Sequence, residues 1–238
     1  MTVGFDKMSV NQELLMSLPF REGTGAITQD YAKPLREVDL INAPAWTTIA
    51  SGLGVLAFDG GVSDQYLECP GVETADLDFT GDYSIVAWVN WKDTTQSEIV
   101  VGRYETEVDG WDIYLTSTHI DTLSQRHHHS SLAQTTDNCY SVGWTPDTGN
   151  WYLIGVTRSG LYPLHYRNGV PLTMSYSAFG FRDPDACNQD LVIGTRGVTK
   201  ANNFYKGDMQ GVRTLGRALS ARDHMNVYQL EKHWFGTP

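Results

Sequence analysis

Apolar and polar residues alternate with a period of two along much of this chain, the pattern of strands that bury one face. From Tyr83 to Trp91, the residues Tyr83, Ile85, Ala87, Val89 and Trp91 share one face, and Ser84, Val86, Trp88 and Asn90 share the other. That spacing predicts a strand whose odd-numbered face is core. Trp151 to Arg158 is apolar on both faces, with Trp151 and Leu153 on one and Tyr152, Ile154 and Val156 on the other. A strand of that kind belongs inside a sheet, not at its edge. A loop at Ser159 to Leu161, a second strand to Tyr166 and a turn at Asn168-Gly169 complete a hairpin. Both central residues of a type I′ turn need positive φ, which Asn tolerates and Gly adopts without strain.

The same reasoning predicts strands at Leu14 to Phe20, Glu98 to Tyr104, Trp111 to Ser117 and Met209 to Leu215. Residues 31–50, with Pro34 and Pro44, read as an irregular connection whose Trp46 packs on the edge of the domain. Thr118 to Thr148 reads as a long insertion with one short strand near Cys139 to Trp144, and such insertions are usually functional. Helical spacing follows only Ser220-Ala221-Arg222-Asp223, whose S-x-x-D form predicts a capping box. The helix should run from about Ala221 to Lys232 and turn Val227, Tyr228 and Leu230 toward the domain. Residues 1–12 are polar and mixed and read as an arm, and residues 13–238 as one domain.

The 238 residues include 23 Gly, 12 Tyr and 7 Trp with 19% charged residues, a composition suited to many short strands joined by tight turns. The formal charge is −11. No run of Lys or Arg offers the footprint that nucleic acid or an anionic membrane requires, so neither is an expected partner. No apolar run approaches the roughly 20 residues of a membrane helix, so membrane insertion is not expected either. The opening residues lack the basic and continuous apolar regions of a secretory signal. Cys69, Cys139 and Cys187 are widely spaced and odd in number, and read as free buried thiols; one disulfide plus one free thiol is the alternative.

Several motifs, in order, resemble laminin-G-like domains of the concanavalin A-like superfamily. The first are Val55-Leu56-Ala57-Phe58-Asp59-Gly60, then Tyr83 to Val89, then Gly110-Trp111-Asp112-Ile113-Tyr114-Leu115. Next come the hairpin from Trp151 to Leu172, Leu191-Val192-Ile193-Gly194 and Gly207 to Ser220. The resemblance implies an all-β, concanavalin A-like jelly-roll sandwich with a short C-terminal helix. The family's usual Asp in the closing strand is Gln210 here, which puts in doubt any role that residue carries.

The superfamily includes glycoside hydrolases, whose retaining members need two carboxyl groups about 5 Å apart. Glu107-Val108-Asp109-Gly110-Trp111-Asp112 only approaches the required E-x-D-x-x-E pattern, and Glu37-Val38-Asp39 lacks its last acid, so no catalytic residue is assigned. Many family members bind calcium through rim-loop oxygens, and Asp109, Asp112, Asp137 and Asn138 are candidates by type. Sugar recognition pairs an aromatic face with polar side chains, which points to Asp109, Trp111, Asp112, Asn138 and Trp144, although core packing is the competing role for each Trp. His127, His128 and His129 suit a solvated loop or subunit contact more than a metal site, because adjacent strand residues point to opposite sides. With Trp234 and Phe235 near the C-terminus, they are the candidate assembly contacts.

The expected function is a non-catalytic, lectin-like recognition or structural module. Laminin-G-like domains mostly act outside cells, whereas this chain carries no signal peptide and unpaired cysteines. A virion component resolves the conflict, since it is made in the host cytoplasm and leaves by lysis. The expectation is a bacteriophage structural, decoration or tail protein that is a homo-oligomer and contacts host glycans or other virion proteins. A secreted carbohydrate-binding or adhesion module is the alternative, and a glycoside hydrolase the third reading.

Overall fold

The computed structural model describes residues 11–117 and 122–237. The expected N-terminal arm lies, as far as residue 10, outside them. Two antiparallel sheets face each other. The first runs in spatial order β14 (Val170–Pro171), β13 (Leu164–Arg167), β12 (Tyr152–Arg158), β7 (Tyr83–Trp91), β17 (Lys206–Leu215), β5 (Gly54–Asp59) and β4 (Ala45–Thr48). An eighth strand, β1 (Leu14–Leu18), also pairs with β17. The second runs β15 (Thr173–Tyr176), β11 (Thr136–Val142), β10 (Thr122–His128), β9 (Asp109–Thr116), β8 (Glu98–Glu105), β16 (Leu191–Ile193), β6 (Tyr66–Cys69), β3 (Glu37–Ile41) and β2 (Ile27–Gln29).

Alternation decides what lies between the sheets. The odd face of β7 joins Ile154 and Val156 of β12, Met209 of β17 and, from the opposite sheet, Val101, Ile113 and Leu115 in one continuous core. The even face of β7 is also buried, because α1 (Ala221–Glu231) lies across the outside of the first sheet. Val86, Trp88, Leu153 and Leu215 there meet Val227, Tyr228 and Phe235 in a second apolar cluster. Each fully buried Leu, Val or Phe contributes about 1.5–3 kcal/mol, so the helix is anchored by its packing. It starts at the expected capping box: Asp223 N donates to Ser220 Oγ (3.2 Å) and Ser220 N donates to Asp223 Oδ2 (3.0 Å). Leu230 departs from the expectation, since it is exposed while Val227 and Tyr228 are buried.

The strand expected at Trp151 to Arg158 is interior, between β7 and β13, and Asn168 and Gly169 take φ of 52° and 78° at the hairpin tip. Two stretches read as irregular are strands. Residues 31–50 carry β3 and β4, too short for periodicity to show; Trp46 lies on β4 and donates its indole N–H to the Gly25 carbonyl (2.9 Å). The insertion carries β11, which overlaps the short strand expected near Cys139 to Trp144, and also β10, where Gln125 and His127 take inward positions beside Leu123 in place of the apolar residues that advertise a strand.

Candidate functional site

The residues expected to bind sugar fall largely inside the protein. Trp111 is fully buried in the main core and donates its indole N–H to the Leu77 carbonyl (2.8 Å). Trp144 is buried in the same core, edge-on to Tyr152 and Trp91. Neither offers a sugar platform, which corrects the expectation: the aromatic area that would attract a ring is used in packing. Asp112 is also fully buried, ion-paired with Arg126, with His128 Nε2 3.6 Å from its Oδ1. Burial alone would raise its pKa, but Arg126 outweighs that and holds it ionised. The register aligns Asp112, Arg126 and Asn138 on adjacent strands, with Arg126 over the Tyr114 ring at 4.1 Å. Asp109 is half-buried and accepts from Glu105 N (3.1 Å).

The three histidines are all buried, so they are not assembly contacts. His127 points inward: its Nδ1 donates to the Arg182 carbonyl (2.6 Å) and its Nε2 accepts from Tyr83 Oη (2.7 Å), which fixes a neutral tautomer. Burial pushes its pKa well below the ordinary value. His128 points to the other side, stacked on Tyr104 at 5.0 Å. His129 Nε2 lies 3.3 Å from Asp137 Oδ2. Asp137 also receives Arg182 through three N–H groups at 2.6–2.9 Å. Calcium therefore does not fit Asp112 or Asp137, whose oxygens are already taken by guanidinium groups. Among the described residues no group of three His, Cys, Asp or Glu is arranged to hold a metal ion.

A concavity lies elsewhere, on the outside of the first sheet. Along β17, pairing to β5 extends to Met209, pairing to β1 starts at Val212, and between them the register to β7 slips between Gln210 and Arg213. Gly211, at φ 69°, makes this β-bulge. Met209 and Val212 both enter the core although they are three residues apart, because the bulge inserts one extra residue. Gln210 and Arg213 consequently both register with outward-facing β7 residues, Trp88 and Val86. They floor a groove of about 700 Å³ walled by Arg21, Tyr31 and Leu53, and by Glu231, Trp234 and Phe235 from the end of α1 and the turn beyond it.

Each wall is held by specific contacts. Phe235 is buried and stacked on Trp88 with ring centroids 3.9 Å apart, a correction to its expected role as an exposed contact. That stacking presents Trp234 outward, 45% exposed. Glu231 Oε2 accepts from both Trp88 Nε1 and Arg213 Nη2, each at 2.8 Å. Gln210 Nε2 donates to the Pro19 carbonyl (2.8 Å). Tyr31 is 51% exposed. The expected site residues thus contribute only Trp234 and Phe235 to the groove. The others come from chain segments far apart in sequence, and only the family's departure at Gln210 marked this place.

A laminin-G-type family model, described as the concanavalin A-like lectin/glucanases superfamily, matches residues 59–223. The chain belongs to the concanavalin A-like lectin/glucanases superfamily. Solved structures of similar fold include the binding domain of Paraclostridial Mosquitocidal Protein 1, at TM-score 0.72 and 12% identity over 97% of this chain and 56% of that one. The botulinum neurotoxin serotype G binding domain matches at TM-score 0.68 and 12% identity, over 92% of this chain and 51% of that one. A botulinum neurotoxin type C structure, whose cell entry is described as dependent on interaction with two ganglioside molecules, matches at TM-score 0.67 and 12% identity, over 93% and 52%. This concanavalin A-like chain spans about half the length of each of them. Comparison with curated protein sequences gave no match. Within the superfamily fold, the groove uses the outer face of the helix-bearing sheet, between the bulged strand and the C-terminal turn.

Proposed function

We propose that this chain is a non-catalytic, lectin-like module that binds a carbohydrate in the groove beside the Gly211 bulge. The observation that carries the reading is the exposure of Trp234 and Tyr31 at a groove floored by Gln210 and Arg213. A sugar ring offers C–H groups on its faces and hydroxyls around its rim, and a site with aromatic faces beside polar side chains meets both. The lectin-like superfamily fold and its occurrence in toxin binding domains support recognition over catalysis. So does the acidic stretch at Glu107 to Asp112: Asp109 and Asp112 are three residues apart on β9 and lie on opposite faces, so they do not form a cleaving pair.

The same reading makes the module a virion structural, decoration or tail component synthesised in the host cytoplasm. Three free, buried cysteines support manufacture in a reducing compartment. An extracellular adhesion module is the alternative. The test is a glycan array probed with the wild-type chain and with Trp234→Ala. Binding that falls by about tenfold or more in the variant, with unfolding unchanged, is the expected result. Binding that survives the substitution, or none to any glycan, overturns the assignment of the groove.

A further inference from the structure

The charges around the groove are unequally satisfied. Arg213 is committed to Glu231, whose accepting oxygen also takes the Trp88 indole, so that pair is neutral and fixed. Asp30, near Tyr31 in sequence, is buried and ion-paired with Arg36 at 2.7 Å. Glu22 is turned to its own strand connection, where its Oε1 accepts from Thr28 Oγ1 (3.0 Å) and Gln29 N (2.8 Å). Arg21 is different: it lines the groove, is exposed, and forms no ion pair with any described residue. In a chain with a net charge of −11, a guanidinium at this groove thus stands without a carboxylate partner among the described residues.

The backbone holds Arg21 there. Phe20 is fully buried in the core yet takes φ of 49°, a left-handed conformation that a bulky residue adopts at a cost of about 1–2 kcal/mol. Burial of the ring locks that kink as the chain leaves β1, immediately before Arg21. We infer that the groove binds an acidic saccharide, with a sugar carboxylate on Arg21 and the ring against Trp234. This rests on the carbohydrate reading and adds the class of ligand. A guanidinium presents a planar fork of N–H donors that matches a carboxylate in two parallel hydrogen bonds, whereas a neutral sugar would leave it unmatched.

The test uses the full chain titrated with oligogalacturonate and oligosialate, and with the methyl ester of each, in which the same rings carry no charge. The wild-type chain should bind at least one acid about tenfold or more tightly than its ester. Arg21→Gln should erase that difference between acid and ester, Arg21→Lys should retain part of it, and Trp234→Ala should weaken acid and ester together. Equal affinity for acid and ester, a preference that survives Arg21→Gln, or binding to none of the four overturns the acidic-sugar inference. Equal affinity that still falls in Trp234→Ala leaves carbohydrate binding in the groove standing. Binding indifferent to Trp234→Ala overturns both.

Discussion

His165 and His224 show what burial does to a titratable side chain in this sandwich. Both are buried, His165 with Nε2 3.7 Å from Cys139 Sγ, and His224 with Nε2 2.7 Å from Thr157 Oγ1 and its ring stacked on Tyr166 at 3.9 Å. Burial pushes each down to about 3. A lowered histidine pKa means that the unfolded chain takes up the proton first. The stability linked to these groups is therefore complete above about pH 6.5 and is lost as the pH falls toward 3. Glu98 has the opposite sign: burial raises it to about 9, so its contribution is complete below about pH 4.5 and is lost as the pH rises toward 9. Urea unfolding at pH 7 and pH 5 should show a loss of stability at the lower pH that shrinks in His224→Gln. Glu98→Gln should gain about 1–3 kcal/mol at pH 8, since an amide has no proton to retain. A difference between pH 7 and pH 5 that is unchanged in His224→Gln would mean that this histidine is not held neutral.

At the scale of elements, what the sequence disclosed depended on whether a strand's inward positions are apolar. β7 and β12 alternate or run apolar, the Asn168-Gly169 turn carries its own chemistry, and Ser220 with Asp223 announces the helix; all of these were legible. β10 was not, because Gln125 and His127 point inward and satisfy each other through Tyr83, to which Gln125 Nε2 donates. A buried polar network reads as a loop in a one-dimensional pattern, although its satisfied hydrogen bonds make it interior. The groove was hidden for a different reason. It depends on one inserted residue in β17 and on segments around positions 17–31, 53, 210–213 and 231–235 that meet only in the fold. Gly211 is accordingly a position where the backbone conformation matters. A Cβ there meets no atom within 4 Å, so the cost of Gly211→Ala is backbone strain at φ 69° alone. The variant should lose about 1–2 kcal/mol in urea unfolding. A change within a few tenths would show that the bulge accepts side chains and that φ does not constrain it.

The whole molecule places all three of its thiols out of reach. Cys69, Cys139 and Cys187 are buried, and none is bridged to another. Burial raises all three pKa values, to about 12 for Cys69 and Cys187, so they stay protonated and unreactive at neutral pH. Stability then rests on the double apolar core and on the helix that closes it, not on cross-links. On the proposed virion reading the chain folds in the host cytoplasm, where disulfides do not form, and three free, buried thiols are what that reading expects. The native chain should not react with an aromatic disulfide reagent, and the urea-unfolded chain, without added reductant, should release three equivalents of thiol. On the same proposed reading, that count should hold for protein taken from its natural source, and mass spectrometry of purified particles should find it. A single equivalent after unfolding would mean that two cysteines had paired. Protein recovered only from cell-free medium in that oxidised form would favour the extracellular alternative over the particle.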